Sequence, residues 1–303
     1  MKVFLKDEIH QEARALLESR AEIIEDWERI GEVDAIVVRK IKIPDYVFEE
    51  AGNLKVIGFH GSGMNGINLE EAKKHQVDVF AVPGLNAQSV AELNVTLALD
   101  LAHMVSWSSH EIKQGKDMKD GLHRFRGHEI SNKTAGIIGM GAIGTMTATL
   151  LMDGFHMKVY GYSRSFTSEK AKALQVMYAD SIDEILKISD FVFIALPLTN
   201  ETKNLITYEK IEQMKPSAYL INAARGGIVN EEDLCRALEN RLIAGAASDV
   251  FATEPVNPEI PLVRFDNFIA TPHIAGNSEE ALYRVGMGVV EGILKRLKEQ
   301  GIQ

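Results

Sequence analysis

The chain has 303 residues, of which 46% are hydrophobic and 25% are charged, and its formal net charge is −10 at pH 7. This composition is typical of globular proteins, the length favours two domains over one, and the acidic balance argues against nucleic acid or an anionic membrane surface as the main partner. The single cysteine, Cys235, excludes an internal disulfide framework and a multi-cysteine zinc site, and we expect no metal.

The N-terminal part of the chain alternates between short apolar runs and helical patterns. Its first residues, MKVFLKDEIH, contain no apolar signal core, and no apolar run approaches the roughly 20 residues of a membrane-spanning helix. We therefore expect a cytoplasmic protein without membrane contacts. The predicted strands are 3–5, 35–38, 56–59 and 77–82, with helices such as 10–19 and 45–51 between them. Continuous apolar strands separated by helices predict a parallel sheet covered on both faces.

A long stretch rich in alanine, leucine and valine, from about residue 90 to residue 110, predicts one helix that connects two domains. The polar segment 115–132 is consistent with an arm, a loop or an oligomer contact. A second alternating series follows, with predicted strands 134–138, 157–162, 191–196, 218–223, 245–250 and 268–271 and a last helix over 278–299. The predicted fold class is therefore α/β, with two doubly wound parallel sheets.

A glycine-rich turn, Gly139-Met140-Gly141-Ala142-Ile143-Gly144, directly follows the strand 134–138 and precedes a helical run. In a dinucleotide-binding turn the first glycine permits the tight bend, the second lets the backbone approach a pyrophosphate, and the third lets helix and strand pack closely. The helix N-terminus then holds the phosphates. The strand–turn–helix context favours this interpretation over a glycine cluster that serves packing alone.

The end of the next predicted strand bears on the choice between the two nicotinamide cofactors. An acidic residue about 20 positions beyond the turn would bind the adenosine ribose hydroxyls. Here Ser163 and Arg164 occupy that place, and arginine pairs well with a 2′-phosphate. The sequence therefore favours NADP(H) over NAD(H), and the alternative is a solvated arginine without a cofactor role.

Three ionisable residues stand at or near predicted strand ends, where ligands bind in open parallel sheets. They are Arg225, Glu254 and His273. A histidine can exchange a proton with an alkoxide or alcohol, and a carboxylate beside it can orient the imidazole and stabilise its charged form. An arginine can clamp a substrate carboxylate and polarise the adjacent carbonyl. The set predicts hydride transfer between a carbonyl and an alcohol. Each residue taken alone is also compatible with a solvated surface position.

With these motifs the chain resembles the D-isomer-specific 2-hydroxyacid dehydrogenases over nearly its whole length. The segments that carry the resemblance are 86–92, 139–144, 196–202, 215–233, 245–255 and 271–276. The resemblance implies a flavodoxin-like substrate domain (1–97 plus 282–303), an inserted Rossmann domain (98–281), and catalysis in the cleft between them. It also implies a homodimer formed through the Rossmann domain.

The resemblance further implies a role for each site residue. His273 would be the acid/base, Glu254 its partner, and Arg225 the substrate clamp, while Asp249 would lie near the nicotinamide carboxamide. The remaining cofactor positions that it implies are Gly139, Gly141, Ala142, Ile143, Gly144, Ser163, Arg164, Leu196, Pro197, Thr202, Ala223, Ala224, Arg225, His273, Ala275 and Gly276. A loop over 60–65, with His60, Gly61, Ser62 and Gly63, would give backbone N–H groups to the substrate carboxylate.

Two departures from many family members are visible. Ser163-Arg164 replaces the strand-end acid, as in NADPH-preferring glyoxylate reductases of the family, which favours reduction as the direction. Nothing follows Gln303, which argues against the longer, regulated phosphoglycerate dehydrogenases. The remaining alternatives are a dinucleotide sensor of the corepressor type and an enzyme of the same fold with another hydride donor, such as phosphite.

Overall fold

The protein divides into two compact units, Met1–Asn86 with Gly276–Gln303, and Ala87–Ala275. The structure is a computed structural model and describes residues 1–64, 66–116 and 121–302. Its strands are β1 (Lys2–Leu5), β2 (Glu22–Ile24), β3 (Ala35–Val38), β4 (Val56–Phe59), β5 (Asp78–Ala81), β6 (Thr134–Ile138), β7 (Lys158–Tyr162), β8 (Met177–Tyr178), β9 (Phe191–Ile194), β10 (Tyr219–Asn222), β11 (Gly245–Ser248) and β12 (Phe268–Ala270). Its α-helices are α1 (Gln11–Glu18), α2 (Tyr46–Glu50), α3 (Leu69–Lys74), α4 (Ala87–His103), α5 (Val105–Lys113), α6 (Ala142–Phe155), α7 (Ser168–Ala173), α8 (Ile182–Ile188), α9 (Tyr208–Ile211), α10 (Glu231–Glu239) and α11 (Glu279–Glu299).

The first unit contains a parallel sheet in the order β2-β1-β3-β4-β5. Successive residues of a strand point to opposite faces, and here both faces are buried. Phe4, Ile36 and Ile57 pack on one side, and Val3 and Val37 pack on the other against the last helix, α11. This strand order is the flavodoxin-like one, which confirms the predicted fold of the outer domain.

The second unit contains a parallel sheet in the order β12-β11-β10-β9-β6-β7-β8. Its first strand, β6, lies between β7 and β9, so the chain reverses direction across the sheet at this point. This is the Rossmann order with one further strand, and ligands bind where the strand order reverses. The predicted class, two parallel-sheet α/β domains, is confirmed.

The prediction of one continuous helix over 90–110 is wrong. The structure has α4 and α5, separated by Met104 in a left-handed conformation with φ of +55°. The Asp100 carboxylate accepts hydrogen bonds from both the backbone N–H and the hydroxyl of Ser106. Such side-chain bonds compete with the helical ladder and allow the chain to turn.

Helix α4 packs against α6 and the strands β10 and β11 and therefore belongs wholly to the second unit. The unit boundaries lie at 86/87 and 275/276, whereas we expected 97/98 and 281/282. Of the segment 115–132, residues 117–120 lie outside the described residues. No helix in the described ranges is long and apolar enough to cross a bilayer.

Candidate active site

The glycine-rich turn joins β6 to α6, and each of its three glycines has a different environment. Gly139 has φ of +114°, which few other residues adopt, and its N–H donates to the Tyr162 carbonyl at 2.8 Å. A Cβ on Gly144 would lie 1.9 Å from the Gly139 carbonyl oxygen, so helix and turn touch there. A Cβ on Gly141 would meet nothing within 4 Å.

The open space at Gly141 lies where α6 begins. No side chain caps this helix, so its first N–H groups, starting at Ala142 and Ile143, face the turn and not an internal acceptor. Free N–H groups and the positive end of a helix dipole are what a diphosphate requires. The turn therefore fits the pyrophosphate of a nicotinamide dinucleotide.

The loops after β7 and β9 flank this turn on its two sides, because both strands pair with β6. Ser163 and the exposed Arg164 follow β7. The charge of Arg164 reaches Glu201 in the other loop. The pKa of Glu201 is lowered, mainly by the hydrogen bond from the Thr199 hydroxyl and also by Arg164.

The loop after β9 is held in shape by one hydroxyl. The Thr202 Oγ1 donates to the Pro197 carbonyl at 2.6 Å and accepts from the Thr199 N–H at 2.7 Å. Leu196 and Pro197 lie at the start of this loop. The resemblance assigns Thr202 to the cofactor site. Thr202 therefore also shapes the loop that carries the other two predicted cofactor residues, Leu196 and Pro197.

The loop after β10 is organised by Asn222, the buried last residue of that strand. Its Oδ1 accepts from the Ala224 N–H and its Nδ2 donates to the Arg225 carbonyl, both at 3.1 Å. The guanidinium of Arg225 donates to the Ala224 carbonyl at 2.6 Å. Burial lowers the pKa of Arg225, while the nearby Glu254 carboxylate acts in the opposite direction. A half-buried cation with only part of its donors used suits an anionic ligand.

His273 and Glu254 form a hydrogen-bonded pair, with Nδ1 and Oε2 2.7 Å apart. A carboxylate only accepts, so Nδ1 carries a proton and Nε2 is left for a ligand. The hydrogen bond to Glu254 raises the pKa of His273, although burial opposes it. Burial favours a raised pKa for Glu254, but the bonds from His273 and from the Phe251 N–H, with the charge of Arg225, lower it.

The backbone that presents His273 is built around the buried carboxylate of Asp249, next to the end of β11. Its Oδ1 accepts from the Thr271 hydroxyl at 2.6 Å and the Ile274 N–H at 2.8 Å. Its Oδ2 accepts from the Ala275 N–H at 2.8 Å. His273 lies within this bridge in a left-handed conformation, with φ of +55°. The three bonds to one carboxylate stabilise that conformation.

Two further predicted positions, Ala223 and Ala275, pack together with Val90 of α4 and against Ile143. The Ser89 hydroxyl also donates to the Ala275 carbonyl at 2.6 Å. The turn, the Arg225 loop and the His273 loop are thus joined by an apolar contact. Val90 was not among the predicted site residues, because a valine in a helical pattern signals only a core position.

The predicted carboxylate-binding loop follows β4 in the first unit. Gly61 has φ of +146°, and Ser62 and Gly63 follow it, while Asn65 lies outside the described residues. The His60 side chain is 8% exposed, and its Nε2 has no hydrogen-bond partner in the described part of the chain. Burial, with a smaller contribution from the Arg39 charge, lowers the pKa of His60 to about 4. His60 is therefore neutral at physiological pH.

The structure thus places every predicted position of the second unit beyond the carboxyl end of a strand of one sheet. Gly276 falls in the first unit, where a Cβ added to it would lie 2.9 Å from the Asn86 Nδ2. Asn222 and Thr271 are site residues that the sequence analysis did not single out. A polar residue at or directly after the end of an apolar strand is the signal that could have identified both. Within the described ranges, no group of His, Cys, Asp and Glu side chains could hold a metal ion.

Known proteins similar to this chain identify its family. The model of the D-isomer specific 2-hydroxyacid dehydrogenase NAD binding domain matches residues 95–275. The chain belongs to this dehydrogenase family. Hydroxypyruvate reductase from Thermotoga maritima is 36% identical over 308 residues, with 98% of both chains covered. D-3-phosphoglycerate dehydrogenase from Methanocaldococcus jannaschii is also 36% identical, but this chain spans only 58% of its length. A crystal structure of a protein from Thermus thermophilus superposes on the present chain with a TM-score of 0.88 at 28% identity. The superposition covers 99% of the present chain and 97% of the Thermus chain.

Proposed function

We propose that this protein is an NAD(P)-dependent oxidoreductase that interconverts a small 2-oxo acid and its D-2-hydroxy acid. The observation that supports it most directly is the His273–Glu254 pair, within electrostatic reach of Arg225. These groups share one sheet edge with a turn that fits a dinucleotide pyrophosphate. A proton donor, a carboxylate clamp and a phosphate site are the parts that this reaction needs.

The bound dinucleotide would supply or accept the hydride. His273 Nε2 holds the proton that the substrate oxygen receives on reduction, because Nδ1 is committed to Glu254. Glu254 stabilises the imidazolium and keeps the ring oriented. Arg225 binds the substrate carboxylate and polarises the adjacent carbonyl.

We further propose that NADPH is preferred and that reduction is the physiological direction. Ser163 and Arg164 support this, since no acidic side chain stands there to bind the adenosine ribose hydroxyls. The Arg164 side chain is exposed and can pair with a 2′-phosphate. In the first unit, the backbone of Gly61, Ser62 and Gly63 would bind the substrate carboxylate. We also propose a homodimer, which light scattering on the purified chain would test.

The test is the loss of nicotinamide absorbance with NADPH or NADH against a panel of 2-oxo acids: glyoxylate, hydroxypyruvate, branched and phosphorylated. His273→Gln should lower kcat by about 10²–10⁴-fold and leave the Kd for the cofactor within about twofold. Arg225→Ala should raise KM for the acid. Cofactor binding without turnover of any acid would favour a dinucleotide sensor or another hydride donor.

A further inference from the structure

The loop that carries Glu254 is attached to a helix through one side chain. Residues Ala252, Thr253 and Glu254 are exposed. The Ala252 N–H donates to Oε1 of Glu231 at 2.5 Å, across 21 positions of sequence. Within residues 1–64, 66–116 and 121–302, this is the hydrogen bond that ties the backbone of 251–254 to another element.

Glu231 projects from a firmly held element, because it is the first residue of α10. The Asn230 side chain caps the helix by accepting from the Asp233 N–H at 3.0 Å. Leu234 and Leu238 anchor its other face in the core. The carboxylate of Glu231 therefore offers an acceptor from a fixed helix to residues 252–254, which are exposed and follow the buried Phe251.

The geometry of Glu254 depends on this loop. Its Oε1 accepts from the Phe251 N–H of the same loop at 3.0 Å, which directs Oε2 to His273 Nδ1. On the opposite side, a Cβ on Gly226 would lie 1.9 Å from the Phe251 carbonyl oxygen, so the loop backbone lies directly on the Arg225 loop. Phe251 is thus fixed, and Ala252 lies on the path of the chain from Phe251 to Glu254, so a shift at Ala252 would change the position of the Glu254 carboxylate relative to His273.

We infer that Glu231 is a positioning residue: by holding the Ala252 N–H it keeps the Glu254 carboxylate aligned with His273. The inference rests on the proposed function for the acid/base role of His273. The largest charge effects on the pKa of His273 come from Glu254, Asp249 and Arg225. The contact that Glu231 makes is with the Ala252 backbone, so its proposed effect on His273 passes through loop geometry.

The test compares three variants of the whole chain. Glu231→Met removes the acceptor and keeps the length of the side chain, whereas Glu231→Gln keeps an acceptor without the charge. Glu232→Ala is the matched control, since it removes an exposed acid from the same helical turn and leaves the Ala252 contact intact. Glu231→Ala removes the same acceptor and replaces the Met variant if that one does not fold.

The first measurement is the NMR titration of the His273 ring, assigned with His273→Gln, and it needs no turnover. In Glu231→Met the His273 midpoint should fall towards its ordinary value by about half a unit or more, which corresponds to about threefold in proton affinity. Glu231→Gln should lose less than half of that shift, and Glu232→Ala should match the wild type. The second measurement is the pH profile of kcat for reduction, whose high-pH limb should move by the same amount.

An unchanged His273 titration in Glu231→Met overturns the inference, as does an equal shift in the Glu232→Ala control. A uniform loss of kcat at every pH with an unmoved midpoint also overturns it, because it indicates a structural role only. A shifted titration in a protein that reduces no 2-oxo acid would refute the proposed function and leave the alignment of the pair by Glu231 established.

Discussion

The carboxylate of Asp249 offers a quantitative test of how the His273 loop is held. Replacement by asparagine preserves shape but leaves one acceptor oxygen where the structure uses two. If that oxygen serves Thr271 and Ile274, the new amide group faces the buried Ala275 N–H. Two N–H donors then oppose each other in a site from which water is excluded.

The expected cost follows from the three bonds. A hydrogen bond to a charged group contributes about 1.5–3 kcal/mol, and an unsatisfied buried donor costs about 1–3 kcal/mol. One buried bond is lost and two become neutral, while the smaller desolvation cost of an amide offsets part of the loss. We expect Asp249→Asn to destabilise the second unit by about 2–3 kcal/mol, which lowers its Tm by roughly 5–10 °C for a domain of this size.

Two assays check this expectation. Thermal unfolding gives the change in Tm, and hydrogen exchange gives the protection of the Ile274 and Ala275 amides. Asp78→Asn is the control, because it removes only an exposed ion pair with Arg296 and should cost below about 1 kcal/mol. A Tm within about 1 °C of the wild type, with unchanged protection of both amides, would refute the reasoning that Asp249 holds the loop.

Four other outcomes follow from the geometry. Gly141→Ala should leave Tm unchanged, since a Cβ there meets nothing, and should weaken cofactor binding by about tenfold or more. Gly144→Ala should lower Tm, because its Cβ overlaps the turn backbone. Equal changes of Tm and of cofactor Kd in the two variants would contradict this. Because its pKa is raised above the ordinary 6.5, His273 keeps its proton to higher pH, so the kcat of reduction should fall only above that value, and Glu254→Gln should move this limb to lower pH. The His273–Glu254 pair stabilises the fold fully between about pH 4.5 and about pH 6.5. This stabilisation is lost as the pH rises through the raised pKa of His273, and also as the pH falls through the lowered pKa of Glu254. Arg164→Gln should raise the Kd of NADPH by about tenfold and that of NADH by less than twofold, as isothermal titration would show.

The sequence predicted the sites that depend on local order along the chain. The glycine-rich turn was visible because strand, turn and helix are consecutive, and each glycine has the environment that its position implies. The apolar strands were equally visible, since both faces of the two sheets are buried. Short or exposed strands were missed: β2 has three residues, and both residues of β8 are exposed, so neither has a pattern to detect.

Contacts between distant positions were decided by the tertiary structure alone. The break at Met104 depends on how Asp100 bonds Ser106, and hydropathy does not encode that choice. By itself, the sequence determined which residue types stand at the strand ends: the histidine, the carboxylates, the arginine and the glycines. Only the folded sheet decided that Asp249 holds the His273 loop and that Glu231 holds the loop of Glu254. The physical reason is that these bonds join segments 21 to 26 positions apart, which meet only when parallel strands end at one edge.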